Sequence, residues 1–184
     1  MLNRAPMKRS KKLLLGFAVF LIILLPVAWL LPSRKQIERS IMVNGKPEDV
    51  FALTATLKRW PDWTAWTTNR YSDLTMRFEG PDTGVGATLM ATGKSSGDGV
   101  VKIIAADSAS GIVYTLDFNH GTQIFTGAIR QMNAPGGVRV AWTLEADLGM
   151  NPLKRWGGLA MDSLMGGDME NGLANLKQQV ERKQ

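Results

Sequence analysis

Residues 112–118 read IVYTLDF, residues 123–132 QIFTGAIRQM and residues 138–146 VRVAWTLEA, divided by Asn119-His120-Gly121 and by Asn133-Ala134-Pro135-Gly136-Gly137. In an extended chain successive side chains point to opposite faces. Ile112, Tyr114, Leu116 and Phe118 then share one face, against Val113, Thr115 and Asp117. Val138, Val140, Trp142 and Leu144 likewise oppose Arg139, Ala141, Thr143 and Glu145. The spacing predicts consecutive half-buried strands joined by tight turns. The apolar sets should face a core, and Asp117, Arg139 and Glu145 should face solvent.

Upstream the pattern continues. Leu74–Glu79, Ala87–Thr92 and Val100–Ala106 each suit a strand, separated by Gly80 to Gly84, Gly93 to Gly99 and Asp107 to Gly111. Farther upstream, Gln36–Val43 reads as a strand and Pro47-Glu48-Asp49 opens a short helix with acidic residues in its first turn. Trp60-Pro61-Asp62-Trp63-Thr64-Ala65-Trp66 stops that helix. Downstream, Met165, Met169, Leu173, Leu176 and Val180 form one helical stripe. Gly157, Gly158, Gly166 and Gly167 each disfavour helix by about 1 kcal/mol relative to Ala. The expectation is therefore a short helix near Leu153–Leu164, a break or thin point, then a longer helix to about Arg182. The order strand, helix, six strands, helix suits an α+β fold in which a strongly curved antiparallel sheet wraps a long C-terminal helix.

The N-terminal part is different in kind. Leu13 to Leu31 are nineteen residues without a charge, preceded by Arg4, Lys8, Arg9, Lys11 and Lys12 and followed by Arg34 and Lys35. As a helix this run spans about 28 Å, close to the hydrocarbon thickness of a bilayer. It is read as an uncleaved transmembrane anchor (13–31) behind a basic tail (1–12), with a cleaved signal peptide as the competing reading. The basic tail should be cytoplasmic, leaving the domain at 36–182 outside the cytoplasmic membrane, in the periplasm of a two-membrane bacterium.

The net charge of +6 does not indicate nucleic acid. Five of the 22 basic residues precede residue 33, and the remaining 17 face 16 acidic ones. The folded part is close to neutral and lacks the basic face that phosphate contacts need. With no cysteine, thiolate metal sites, disulfides and cysteine nucleophiles are excluded. The lone His120 lies among turn residues, so no cofactor or metal centre is expected. Gly93-Lys94-Ser95-Ser96-Gly97 matches the letters of a nucleophile elbow but has strands on both flanks, so it is a loop.

Ile37-Glu38-Arg39-Ser40-Ile41 followed by Pro47-Glu48-Asp49-Val50-Phe51 resembles the opening of START-like, Bet v 1-like domains, the polyketide cyclase/dehydrase and lipid-transport superfamily. Trp60-Pro61-Asp62-Trp63 looks like the Trp-Pro-x-Trp segment after their first helices. Gly84-Val85-Gly86-Ala87 and Gly172-Leu173-Ala174-Asn175-Leu176-Lys177 are similar to membrane-anchored bacterial members. The resemblance covers residues 36–182. It implies the helix-grip fold, with a cavity between curved sheet and last helix.

Trp63, Trp66, Tyr114, Trp142, Met161 and Met165 are the candidate ligand-binding residues, since indole rings and thioethers suit an apolar pocket. The same residues also suit an ordinary core. The paired glycines either let the last helix shift over a pocket mouth or let it pack closely on the sheet. Three functions follow. The first is a membrane-tethered, non-catalytic module for a hydrophobic small molecule or lipid. The second is a cyclase or dehydrase drawing on Tyr114, Arg139, Glu145 or His120 as acid or base. The third is an interaction domain with a filled cavity.

Overall fold

The computed structural model describes Leu13, Gly16 and residues 24–182. The basic tail and most of the expected anchor at 13–31 lie outside the described residues. Among those described, no helix is long and apolar enough to cross a membrane. Residues 24–27 are helical and run into a 3-10 turn at Ala28–Leu30.

Seven antiparallel strands follow the expected alternation closely: β1 (Arg34–Val43), β2 (Thr75–Glu79), β3 (Thr88–Thr92), β4 (Gly99–Asp107), β5 (Gly111–Phe118), β6 (Gln123–Ala134) and β7 (Gly137–Asp147). Their order in the sheet is β1-β7-β6-β5-β4-β3-β2, a meander closed by the first strand. Each hairpin returns because its turn residues permit it. Between β6 and β7, Gly136 and Gly137 sit at φ 90° and 135°, where a side chain would be strained. A register shift between Ile103 and Ala105 bulges β4, a device that bends a strand and adds twist.

The concave face carries the apolar half of each alternation. Ile112, Val138 and Val140 are fully buried, while Arg139 is exposed and Glu145 is half-buried beside Arg34. Helix α1 (Pro47–Thr54) and a 3-10 segment at Leu57–Asp62 cover one part of this face. Helix α2 (Pro152–Glu181) covers the rest.

The expected break in α2 does not occur: it is one helix of 30 residues. Its glycines fall into two kinds. A Cβ at Gly158 would meet Leu148 at 2.5 Å, at Gly166 the Arg39 guanidinium at 2.4 Å, and at Gly172 the Trp142 ring at 2.9 Å. These three allow close packing on the sheet, and the contacts they permit outweigh their helix propensity. At Gly157 and Gly167 nothing lies within 4 Å of the added atom. Gly157→Ala and Gly167→Ala should therefore each raise stability by about 1 kcal/mol in urea unfolding, whereas Gly158→Ala should lower it.

Arg39 explains the Gly166 contact. It stands on the inner face of edge strand β1, in the same set as Ile37 and Val43, and reaches under α2 to Asp162 at 2.8 Å and Glu170 at 2.5 Å. The guanidinium thus ties the sheet edge to two turns of the helix.

Candidate functional site

An aromatic cluster occupies the concave face where the Trp60–Trp66 segment meets β5 and β7. Trp60 and Tyr114 meet edge to face with centroids 5.1 Å apart, Trp60 and Trp63 at 5.5 Å, and Trp63 and Trp142 at 5.3 Å. Such geometry aligns the positive ring edge with a negative face. Trp60 Nε1 donates to the Thr54 carbonyl at 2.8 Å, and Trp142 Nε1 donates to the Tyr114 hydroxyl at 2.8 Å. Asn175 of α2 donates to the Trp63 carbonyl at 3.3 Å, which fastens the loop to the last helix.

Beside this cluster lies a cavity of about 100 Å³. Of the six candidate residues, Trp66, Tyr114, Trp142 and Met165 line it. Met161 lines a neighbouring groove of about 200 Å³ between the start of α2 and β6, and Met165 borders both spaces. Trp63 is fully buried and packs behind Trp142, outside the lining. The lining also includes Trp60, Thr64, Leu116, Leu144, Asp168 and Met169, which were not among the candidates. Trp60 belongs to the tryptophan cluster that marked the site. Thr64 lies inside that segment, where nothing distinguished its hydroxyl, and Asp168 had no periodicity or motif to reveal it.

The cavity wall is almost wholly apolar, so its few polar atoms stand out. The Thr64 hydroxyl is buried and has no hydrogen-bond partner among the described residues. Leaving such a group unpaired costs about 1–3 kcal/mol. Trp63 Nε1, behind the wall, is also buried and has no partner among the described residues. The Tyr114 hydroxyl accepts from Trp142, and among the described residues no acceptor takes its own proton. Asp168 is half-exposed at the margin and pairs with Arg70 at 2.6 Å.

Burial pushes the Tyr114 phenol well above its ordinary value, while the Trp142 N–H works weakly in the opposite sense. The group is a hydrogen-bond donor and acceptor at neutral pH, and no base. Because its folded-state value is raised, its contribution to stability is complete below the unfolded phenol value near pH 10 and declines as pH rises beyond it. In an absorbance titration, one of the two tyrosines should ionise only together with loss of structure.

The other acid–base candidates lie elsewhere. Arg139 is exposed and contacts Ser40; Glu145 faces Arg34; His120 is on a loop, 3.0 Å from Asp98. Gly93–Gly97 is a loop between β3 and β4, where Ser95 donates to Asp73. Among the described residues no group of three or more side chains is placed to hold a metal ion.

The model of the family described as polyketide cyclase / dehydrase and lipid transport matches residues 34–181. Comparison with curated proteins yields no match. The fold is shared by many solved structures. An uncharacterised protein from Rhizobium leguminosarum is 15% identical with a TM-score of 0.59, covering 81% of this chain and 95% of that one. A protein from Mesorhizobium loti is 14% identical with a TM-score of 0.58, covering 82% and 99%. The di-domain ARO/CYC StfQ of the steffimycin biosynthetic pathway is 14% identical with a TM-score of 0.61, covering 82% of this chain and 51% of that chain. At these identities the likeness is one of fold.

Proposed function

Since the chain belongs to the polyketide cyclase / dehydrase and lipid transport family, we propose that its domain binds a small apolar molecule bearing one polar group. The observation that carries this reading is the pairing of an apolar wall with the unpartnered Thr64 hydroxyl and the unclaimed Tyr114 proton. Small-molecule sites commonly combine an apolar lining with a few placed polar groups. The inner cavity alone is small for such a ligand. With the adjoining groove, opened by rotation of the flexible Met165 side chain, the space reaches roughly 300 Å³, the lower end of the usual range.

On this reading Trp66, Tyr114, Trp142 and Met165 form the inner wall, Met161 the approach, and Trp63 the support behind it. The uncharged run at 13–31 tethers the domain to the cytoplasmic membrane of a bacterium, with the domain on the periplasmic side. Tethering raises the local concentration of ligands dissolved in the membrane. A cyclase-type activity is the second reading, favoured by Tyr114, the titratable group buried at the cavity. It would serve as an acid that polarises a substrate carbonyl; the family description and the ARO/CYC neighbour support the activity class alone.

The test uses 1-naphthol and naphthalene as probes of tryptophan fluorescence, with the full chain in nanodiscs. Naphthol should bind about tenfold more tightly, the worth of one buried hydrogen bond. Thr64→Val should remove most of that difference and leave the protein at least as stable. Equal binding of both probes, or binding of neither, would overturn the reading.

A further inference from the structure

Arg155 is a buried cation without a carboxylate partner among the described residues. Its Nη1 donates to the carbonyls of Trp29 at 2.9 Å and Leu31 at 3.1 Å, and its Nε to the Gly149 carbonyl at 2.8 Å. Residues 24–30 are helical, so this guanidinium sits where their last carbonyls are left open, at the negative end of the helix dipole. Two tryptophans complete the junction. Trp156 Nε1 donates to the Leu24 carbonyl at 3.2 Å, and Trp29 Nε1 donates to the Met150 carbonyl at 3.3 Å. Ala28 is fully buried within it. The end of the uncharged run is therefore fastened directly onto the first turns of α2.

Around this junction the surface is apolar and, among the described residues, has no apolar partner. Leu30 is 85% exposed, Met150 73%, Leu153 71% and Leu164 74%. Leu153, Gly157, Ala160 and Leu164 recur at helical steps and form one outward row along α2. Between Arg155 and Asp168 the only charge is Asp162, and Arg39 takes it. The later half of the helix instead exposes Glu170, Asn171, Asn175 and Gln178. The polarity of α2 thus changes along its length, and its apolar half adjoins the uncharged run.

We propose that this end of the domain, comprising Trp29, Leu30, Met150, Leu153 and Leu164, rests in the surface of a lipid bilayer. The occupant follows from the chain that arrives there: residues 13–31 carry no charge, and their end is held by the Arg155 and Trp156 side chains of α2 and by the Trp29 indole on the Met150 carbonyl rather than by a free linker. Interfacial helices bury such a face at the headgroup–acyl boundary, and indole rings favour that depth. The orientation has a consequence for the site. The groove lined by Phe125, Leu148, Met161, Leu164 and Met165 opens on this side, so it would face acyl chains, with Met165 standing between the lipid and the inner cavity. That consequence rests on the ligand-binding reading; the docking itself does not.

The absence of cysteine makes site labelling clean. Leu153→Cys and Leu164→Cys on the docking face, and Ala109→Cys in the exposed β4–β5 turn at the opposite end of the sheet, would each carry bimane in the full chain. The chains would be placed in vesicles of phosphatidylethanolamine and phosphatidylglycerol. Brominated acyl chains should quench positions 153 and 164 at least about twofold, and aqueous iodide should quench 109 far more than either. Equal iodide quenching at all three positions would overturn the proposal. So would labels shielded from both quenchers with cross-links between chains, which would make the face a contact between copies. Naphthol binding measured on the unlabelled wild-type chain in the same vesicles keeps the two proposals apart: bound probe with water-exposed labels defeats the docking alone, and lipid-quenched labels without probe binding defeat the ligand reading alone.

Discussion

Gly127→Ala should lower stability by about 3 kcal/mol and abolish naphthol binding, the upper end of what one added methyl group does in a packed core. Gly127 lies opposite Tyr114 in the β5–β6 pairing, and the phenol ring lies across it. A Cβ there would stand 2.0 Å from Tyr114 Cζ and 2.4 Å from its hydroxyl oxygen. The ring can yield only towards the cavity that it lines, at the cost of its edge-to-face contact with Trp60 and the hydrogen bond from Trp142. Urea unfolding measures the loss. Replacing Tyr114 by Leu in the Gly127→Ala background should recover much of the stability, since the residues touch and their effects should not add. Additive losses would mean that the ring is not what the methyl group strikes.

Trp63 offers the second large effect and separates support from binding. It is fully buried between Trp60 and Trp142, so Trp63→Ala should cost about 3–5 kcal/mol, the usual penalty for emptying an aromatic site. Trp63→Phe should cost far less, because it keeps most of the ring and removes an N–H that has no partner among the described residues. Naphthol affinity should be nearly unchanged in Trp63→Phe if that residue only supports the wall. Loss of affinity with stability retained would return Trp63 to the lining.

The alternation of β5 and β7 was legible because one face of a half-buried sheet must be apolar: Tyr114, Leu116, Val140, Trp142 and Leu144 are all buried, while Arg139 is exposed. The continuity of α2 was not. Glycine propensity is a local quantity, whereas Gly158, Gly166 and Gly172 answer to Leu148, Arg39 and Trp142, residues distant in sequence. For the same reason the Met165 side of the cavity was readable from its thioether, while Thr64 was hidden: an isolated hydroxyl after Trp63 shows its lack of a partner only once the fold surrounds it. Arg155 was masked differently. Beside Lys154 it reads as an ordinary solvated pair, and only the chain returning at Trp29 and Leu31 makes it a buried cap.

The most direct measurement is of what the cavity holds. The full chain, purified under native conditions in nanodiscs, would be extracted with solvent and the extract weighed by mass spectrometry against that of Met165→Trp, which should fill the passage between groove and cavity. The expected result is a stoichiometric apolar species with a hydroxyl or carbonyl group, present in the wild-type chain and absent from the variant. An extract with no such species, even after incubation with native membrane lipid, would contradict the account and leave a domain whose aromatic cluster simply fills its core.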